Sequence, residues 1–242
     1  MSAHWYTYPS ADLAAQAGSR QILLHLEQAL AGHSTASLAI SGGSTPKLML
    51  QHLAKAKFDW SRVHLFWVDE RMVPPTDADS NYLLAEENFI KPARFPHRNL
   101  HRIQGELRAD IAAEHYAVEM EEFFGLSAGE LPHFDVIHLG IGADGHTASL
   151  FPGEPLIEDR KSMAAAVWVE KLSKWRVTLL PGVLLNARHV LMLVAGADKA
   201  EALKTVTEGA YEPLRYPAQL VAHHSRHLTW CVDREAASLV TA

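Results

Sequence analysis

The chain has 242 residues, 48% of them apolar and 21% charged, ordinary proportions for a globular protein that buries a full core without disulfides or structural metal. Lys and Arg number 22 against 28 Asp and Glu, a formal net charge of −6. That balance excludes a general polyanion binder such as a nucleic-acid protein, which needs clustered positive charge, but not a small anion held by a few local donors.

In chain order, residues 1–9 carry no signal-peptide pattern. Ser10 can cap a first helix that has Asp12 in its first turn and Gly32 past its end. A short apolar strand at 37–40 runs into Ser41, Gly42, Gly43, Ser44, Thr45 and Pro46, and Pro46 suits the first turn of a helix heading toward Lys57. A second strand, VHLFWV at 63–68, ends in Asp69, Glu70 and Arg71. Residues 73–101 are Pro-rich and irregular, apart from a short helix starting near Ser80. The spacing of Ala112, Tyr116, Met120 and Phe123 predicts a helix over 109–124, stopped by Gly125.

A third strand at 134–139 enters GIGADGH at 140–146. Further strands follow at 164–169, 176–180 and 190–194, the last entering Gly196, Ala197, Asp198 and Lys199. A final apolar run at 228–232 precedes a short helix. This last run holds Cys231, the one cysteine, which cannot form an internal disulfide and so fits a reducing compartment. No run of 18 apolar residues occurs, so no membrane association is expected and the expected location is cytoplasmic.

Apolar strands alternating with helices predict one α/β domain over residues 1–242: a mostly parallel sheet with helices on both faces. In open sheets of this kind ligands bind beyond the carboxyl ends of the strands, so the loops after Ile40, Val68, Leu139 and Val194 should share a crevice. Gly42 and Gly43 would let the backbone approach an anion, with a helix N-terminus and the hydroxyls of Ser44 and Thr45 beside it. A full nucleotide-binding glycine signature is absent, so a nucleoside triphosphate is not expected. Asp144 and His146 bring an acid and an imidazole to one turn, and an imidazole suits general-base work near neutral pH. Arg71 offers a planar fork for a phosphate or carboxylate, and Arg176 and Lys199 are further cationic candidates.

Other chemistries are poorly supported. His223, His224 and His227 lie close together, but without the spacing or companions of a zinc site. No G-x-S-x-G elbow marks a serine nucleophile.

SGGSTPKLML at 41–50, WVDERMVPPTDADSNY at 67–82 and LGIGADGHTASLFPG at 139–153 closely resemble the bacterial 6-phosphogluconolactonases. NLHRIQGE at 99–106, WRVTLLPGVLLNARHV at 175–190 and AGADKAEAL at 195–203 continue the likeness in the same order. The resemblance implies a modified Rossmann-like fold, shared with glucosamine-6-phosphate deaminases. It further implies hydrolysis of a phosphorylated sugar lactone, 6-phosphogluconolactone, in the oxidative pentose phosphate pathway, with neither a required cofactor nor a metal, in a monomer or weak homo-oligomer. By the same resemblance His146 is the catalytic base, and Asp69 and Asp144 lie in matching motifs, either of them able to orient it. Ser41, Gly42, Gly43, Ser44, Thr45, Arg71, Gly142, Arg176 and Lys199 fall among phosphate and substrate contacts.

The Leu180, Pro181 and Gly182 stretch departs from the family pattern, which affects local loop shape beyond Arg176. Two competing readings are a glucosamine-6-phosphate deaminase and a non-catalytic sugar-phosphate sensor. Deaminases resemble the chain in its glycine turns but carry Asp-Glu-Tyr where Arg71 stands, and TASLFP at 147–152 favours the lactonase. A sensor domain would need a DNA-binding segment for which the chain has no spare residues.

Overall fold

A computed structural model describes residues 2–241. The elements run β1 (Ser2–Tyr8), α1 (Ala11–Gly32), β2 (Ala36–Ile40), α2 (Ser44–Ala54), β3 (Val63–Trp67) and β4 (Asp69–Arg71). Then come α3 (Asn81–Ala85), a π turn at Glu86–Ile90, α4 (Lys91–Ala93), β5 (Leu100–His101), α5 (Ala109–Phe124) and β6 (Val136–Leu139). The remainder is β7 (Ala164–Val169), β8 (Lys174–Leu179), α6 (Pro181–Asn186), β9 (His189–Val194), α7 (Ala200–Glu208), α8 (Ala218–His224) and β10 (His227–Asp233). None of these helices is long and apolar enough to cross a membrane.

Seven strands form one parallel sheet in the order β1-β10-β9-β6-β2-β3-β5. Every residue of β2 and β6 is buried. Since successive side chains point to opposite faces, both faces of the sheet centre are covered, and this is why these strands read as unbroken apolar runs. From β2 the chain proceeds outward to β3 and β5, then returns to lay β6 on the other side of β2. The β2–β6 boundary is therefore the topological switch point, where a crevice opens at the carboxyl ends of the strands. The turns at 41–43 and 140–146 flank it.

The fold departs from the sequence-based expectation in several places. Strands at 164–169 and 176–180 were expected in the parallel sheet, but β7 and β8 form a separate antiparallel sheet with β4. Only a turn at Glu170–Leu172 and Ser173 join them, and a parallel pairing needs a crossover of roughly a dozen residues. Asp69, Glu70 and Arg71, read as a charged turn, are the strand β4 in that sheet. The amino-terminal segment, with no element predicted, is the edge strand β1 on β10. Its exposed side chains give no burial pattern to read, and its order comes from pairing with a strand at the far end of the chain.

The first helix also runs one residue further than expected, including Gly32 before its His33 cap. Ser10 caps it as predicted, accepting from the Leu13 amide, and Gly125 in the left-handed region ends α5.

Candidate active site

The loop after β2 is anchored to β6 from below. The Ser41 amide donates to His138 Nδ1 at 3.3 Å, and Ser41 Oγ donates to the His138 carbonyl at 3.0 Å. His138 is fully buried, and burial pushes its imidazole down to about 3, so the ring is neutral with its proton on Nε2. Gly43 then takes φ +122°, in the region that favours glycine, and α2 starts at Ser44. The first intrahelical bond comes from Lys47 to the Gly43 carbonyl at 3.0 Å, and Pro46 has no N–H. The amides of Ser44 and Thr45 are thus donors without helical partners at the positive end of the α2 dipole.

Alternation along β4 sends Asp69 and Arg71 into the cleft and Glu70 to the opposite side. Glu70 Oε1 accepts from the amides of Arg71 at 2.8 Å and Asn81 at 2.7 Å. Its Oε2 accepts from the Tyr82 amide at 2.8 Å and Ser80 Oγ at 3.1 Å. Burial pushes the Glu70 carboxyl up, against the pull of these N–H donors. The charge triplet therefore divides its work, with Glu70 fastening the start of α3 beneath the site.

Asn81, so placed, donates through Nδ2 to the Asp69 carbonyl at 2.9 Å and Asp69 Oδ1 at 3.4 Å. A Cβ at Gly42 would stand 1.8 Å from Asn81 Oδ1, so only glycine fits there.

Asp69 Oδ2 accepts from Ser149 Oγ at 2.6 Å and lies 3.5 Å from Arg176 Nη1. Arg176 sits opposite Arg71 in the β4–β8 register. Desolvation lowers the Arg176 guanidinium from its ordinary value while Asp69 pulls it up. Arg71 Nη1 donates to the Asp79 carbonyl at 2.6 Å, and the Nε atoms of both arginines are buried without partners among the described residues. Lys199 joins them from the turn after β9, with Asp198 Oδ2 at 2.9 Å from its Nζ.

The turn after β6 supplies the imidazole. The Gly142 amide donates to the His146 carbonyl and the Gly145 amide to the Gly142 carbonyl, each at 2.9 Å, with Gly145 at φ +79°. These two amides are therefore committed inside the turn. A Cβ at Gly142 would fall 1.9 Å from His146 Nδ1, so glycine is what lets the ring fold back over its own turn.

His146 Nδ1 lies 2.5 Å from Asp144 Oδ1, and the ring packs 4.2 Å from that of Phe151. Burial works against the Asp144 carboxylate, but hydrogen bonds from His146 and Lys171 outweigh it and hold its carboxyl well below the usual range. An ionised Asp144 can only accept, so Nδ1 is the donor in this pair and Nε2 is the ring nitrogen turned away from it. Of the two aspartates left open by the sequence, Asp144 bonds the imidazole, and Asp69 contacts Ser149, Asn81 and Arg176.

One cleft of about 230 Å³ collects Ser41, Gly42, Gly43, Ser44, Thr45, Asp69, Arg71, Gly142, His146, Arg176 and Lys199. Asp144 stands behind His146 rather than on the cleft wall. Sequence reasoning missed Asn81, also on the wall, Ser149, Glu70 and Phe151, which contact wall residues, and Lys171, which bonds Asp144 behind the wall. Asn81 and Ser149 lie in motifs already quoted, but their roles come from partners distant in sequence. The clustered histidines serve locally: His224 Nε2 meets Tyr211 Oη at 2.8 Å and His223 Nε2 meets the Val206 carbonyl at 3.2 Å. Among the described residues no group of three or more His, Cys, Asp or Glu is arranged to hold a metal ion.

With these groups chemically specified, the cleft brings three cationic side chains and a helix N-terminus together with an imidazole whose Nε2 is not committed to Asp144. Comparison with known proteins places the chain in a family. The model of the family described as glucosamine-6-phosphate isomerases/6-phosphogluconolactonase matches residues 9–230. A 6-phosphogluconolactonase of Synechocystis is 33% identical over 216 residues, covering 89% of each chain. One from Aggregatibacter actinomycetemcomitans is 31% identical, over 98% of this chain and all of its own. The structure of a 6-phosphogluconolactonase from Trypanosoma brucei superposes with a TM-score of 0.86 at 25% identity, covering 99% of both chains.

Proposed function

The chain belongs to the family of glucosamine-6-phosphate isomerases and 6-phosphogluconolactonases, and from that premise we propose that it hydrolyses 6-phospho-D-glucono-1,5-lactone to 6-phospho-D-gluconate, a step of the oxidative pentose phosphate pathway. The observation that carries this reading is the His146–Asp144 pair on the same cleft as Arg71, Arg176, Lys199 and the start of α2.

The phosphate ester binds the cations and the Ser44 and Thr45 amides, which orients the lactone carbonyl toward His146. Nε2 removes a proton from a water molecule as its oxygen bonds to C1. The resulting imidazolium, stabilised by the Asp144 carboxylate, returns that proton to the ring oxygen as the C1–O bond breaks. One water is consumed, and His146 is regenerated neutral. A lactone is an activated ester, so water suffices as nucleophile and no serine elbow is required.

General-base catalysis contributes roughly 10²- to 10⁴-fold. With freshly generated lactone in a rapid coupled assay corrected for spontaneous hydrolysis, His146→Ala should lose activity by about that factor. Wild-type turnover in that variant sinks the mechanism, and release of ammonia from glucosamine 6-phosphate by the unmodified protein sinks the substrate assignment.

A further inference from the structure

Lys171 projects from the turn Glu170–Leu172 at the tip of the β7–β8 hairpin, remote in sequence from the imidazole turn and on the other sheet. Its Nζ bonds Asp144 Oδ2, the carboxylate oxygen that His146 leaves free. The same ammonium sits 4.5 Å from the centroid of the Phe151 ring, against which His146 packs at 4.2 Å. The two oxygens of Asp144 are thus divided between an imidazole and an ammonium, and the same two groups both lie against the Phe151 ring.

We infer that Lys171 is a positioning residue for the lactone hydrolysis: through Asp144 and Phe151 it fixes the imidazole of His146 and sets how acidic the medium can become before the base is lost. This rests on the reading of His146 as the general base.

The electrostatic reason is direct. An ionised Asp144 favours the imidazolium form of His146, and an imidazolium cannot accept the proton of water. The Lys171 ammonium offsets part of that carboxylate charge and keeps the neutral ring available at lower pH. Its contribution to Asp144 is visible in the carboxyl group held below its usual range by His146 and Lys171 against desolvation.

Other charged groups face the imidazole from a distance. Arg176 on β8 lies 5.6 Å from the Phe151 centroid, and Asp69 and Arg71 on β4 and Lys199 after β9 line the shared cleft. Arg176 and Asp69 are already engaged with each other, whereas Lys171 acts on the carboxylate that touches the ring. Half of the Lys171 side chain is exposed, so solvent screens its effect to a fraction of what a buried pair would exert.

The test is the pH dependence of kcat/KM for the wild type, Lys171→Met, Lys171→Arg and His146→Ala. Lys171→Met should move the acidic limb upward by about 0.5–1 pH unit, as expected for a unit charge a few ångströms away in a partly solvated site. Lys171→Arg, which keeps the charge, should restore the limb. A substrate-free NMR titration of the His146 ring, identified by the signal lost in His146→Gln, should show the same displacement. A merely structural role for Lys171 lowers activity at every pH and leaves limb and titration in place, and that result overturns the proposal. If His146→Ala keeps full turnover, the general-base reading fails first; if it is inactive while Lys171→Met leaves both readouts unmoved, the Lys171 assignment alone fails.

Discussion

Arg71 and Arg176 stand directly opposite one another in the antiparallel β4–β8 pair, and both side chains line the same cleft. Like charges facing each other across a strand pair oppose folding. Asp69 offsets only part of that repulsion, 3.5 Å from Arg176 Nη1, and the Nε atom of each arginine is buried without a partner among the described residues. The proposed phosphate site predicts that an anion in the cleft offsets the rest of that repulsion.

Inorganic phosphate should therefore raise the melting temperature of the protein, by mass action on the folded state. Arg71→Ala or Lys199→Ala should shrink that rise and increase KM for the lactone about 10- to 100-fold, the value of one charge-assisted hydrogen bond. Differential scanning fluorimetry and steady-state kinetics check the two arms; unchanged values in both variants contradict the phosphate assignment.

Asp144→Asn replaces the acceptor-only carboxylate beside His146 Nδ1 with a neutral amide that can also donate, while leaving size almost unchanged. Loss of an equivalent carboxylate in a serine-protease triad costs about 10⁴-fold in kcat. With water as nucleophile the expected loss in kcat here is about 10²- to 10⁴-fold, with KM nearly constant because Asp144 is off the cleft wall. A variant that raises KM and spares kcat would place Asp144 in substrate binding instead.

Gly142→Ala puts a methyl group 1.9 Å from His146 Nδ1. The ring must move, since the turn is closed by the bond between the Gly142 amide and the His146 carbonyl. Overpacking of this kind costs about 1–3 kcal/mol in stability, so a folded protein with activity reduced about 100-fold or more is expected. Urea unfolding and the lactone assay on the same preparation separate the two effects.

Glu70→Gln replaces an acceptor of four donors with a group that has one acceptor oxygen. Some buried amides at the start of α3 lose their partner, at a cost of about 2–4 kcal/mol. The variant should melt earlier and, with Asn81 released, bind phosphate more weakly. An unchanged melting temperature would mean that water or rearrangement replaces the carboxylate.

Stability should rise with pH between about 3 and 6.5 on account of His138. An unfolded imidazole takes a proton below about 6.5, whereas the buried ring stays neutral down to about 3. Across that window the unfolded state binds more protons, so acidification destabilises the fold by about 1.4 kcal/mol per pH unit for this group. His138→Gln should flatten the slope of unfolding free energy against pH between 5 and 6.5 by about that amount, measured by urea titration. An equally steep slope in the variant would assign the acid sensitivity to other groups.

Much of the site was legible because its signals are local. Glycine turns after apolar strands, with Asp, Arg, Lys or His in them, need only a few consecutive residues to be recognised. The rule that such turns converge beyond the carboxyl ends of parallel strands brought residues 41–45, Asp69, Arg71, Gly142, His146 and Lys199 to one cleft, where the structure has them. The cap at Ser10, the helix over 109–124 and its stop at Gly125 are equally local and agree with the structure.

Pairing is different, because its partners are far apart in the chain. Nothing in the segment HWYTY announces an edge strand whose partner is β10, and nothing in the β4 triplet says that Glu70 will turn under α3 while its neighbours turn into the cleft. The two aspartates were equivalent in the motifs. Only folding separated them, by placing Ser149 and Arg176 on Asp69, and His146 with Lys171 on Asp144. The sequence alone determined which residue types meet at the crevice, since strand periodicity and glycine turns are written in short windows. Which carboxylate bonds the imidazole, and which lysine bonds that carboxylate, was decided by the tertiary structure, since side chains from two sheets meet there only after both have formed.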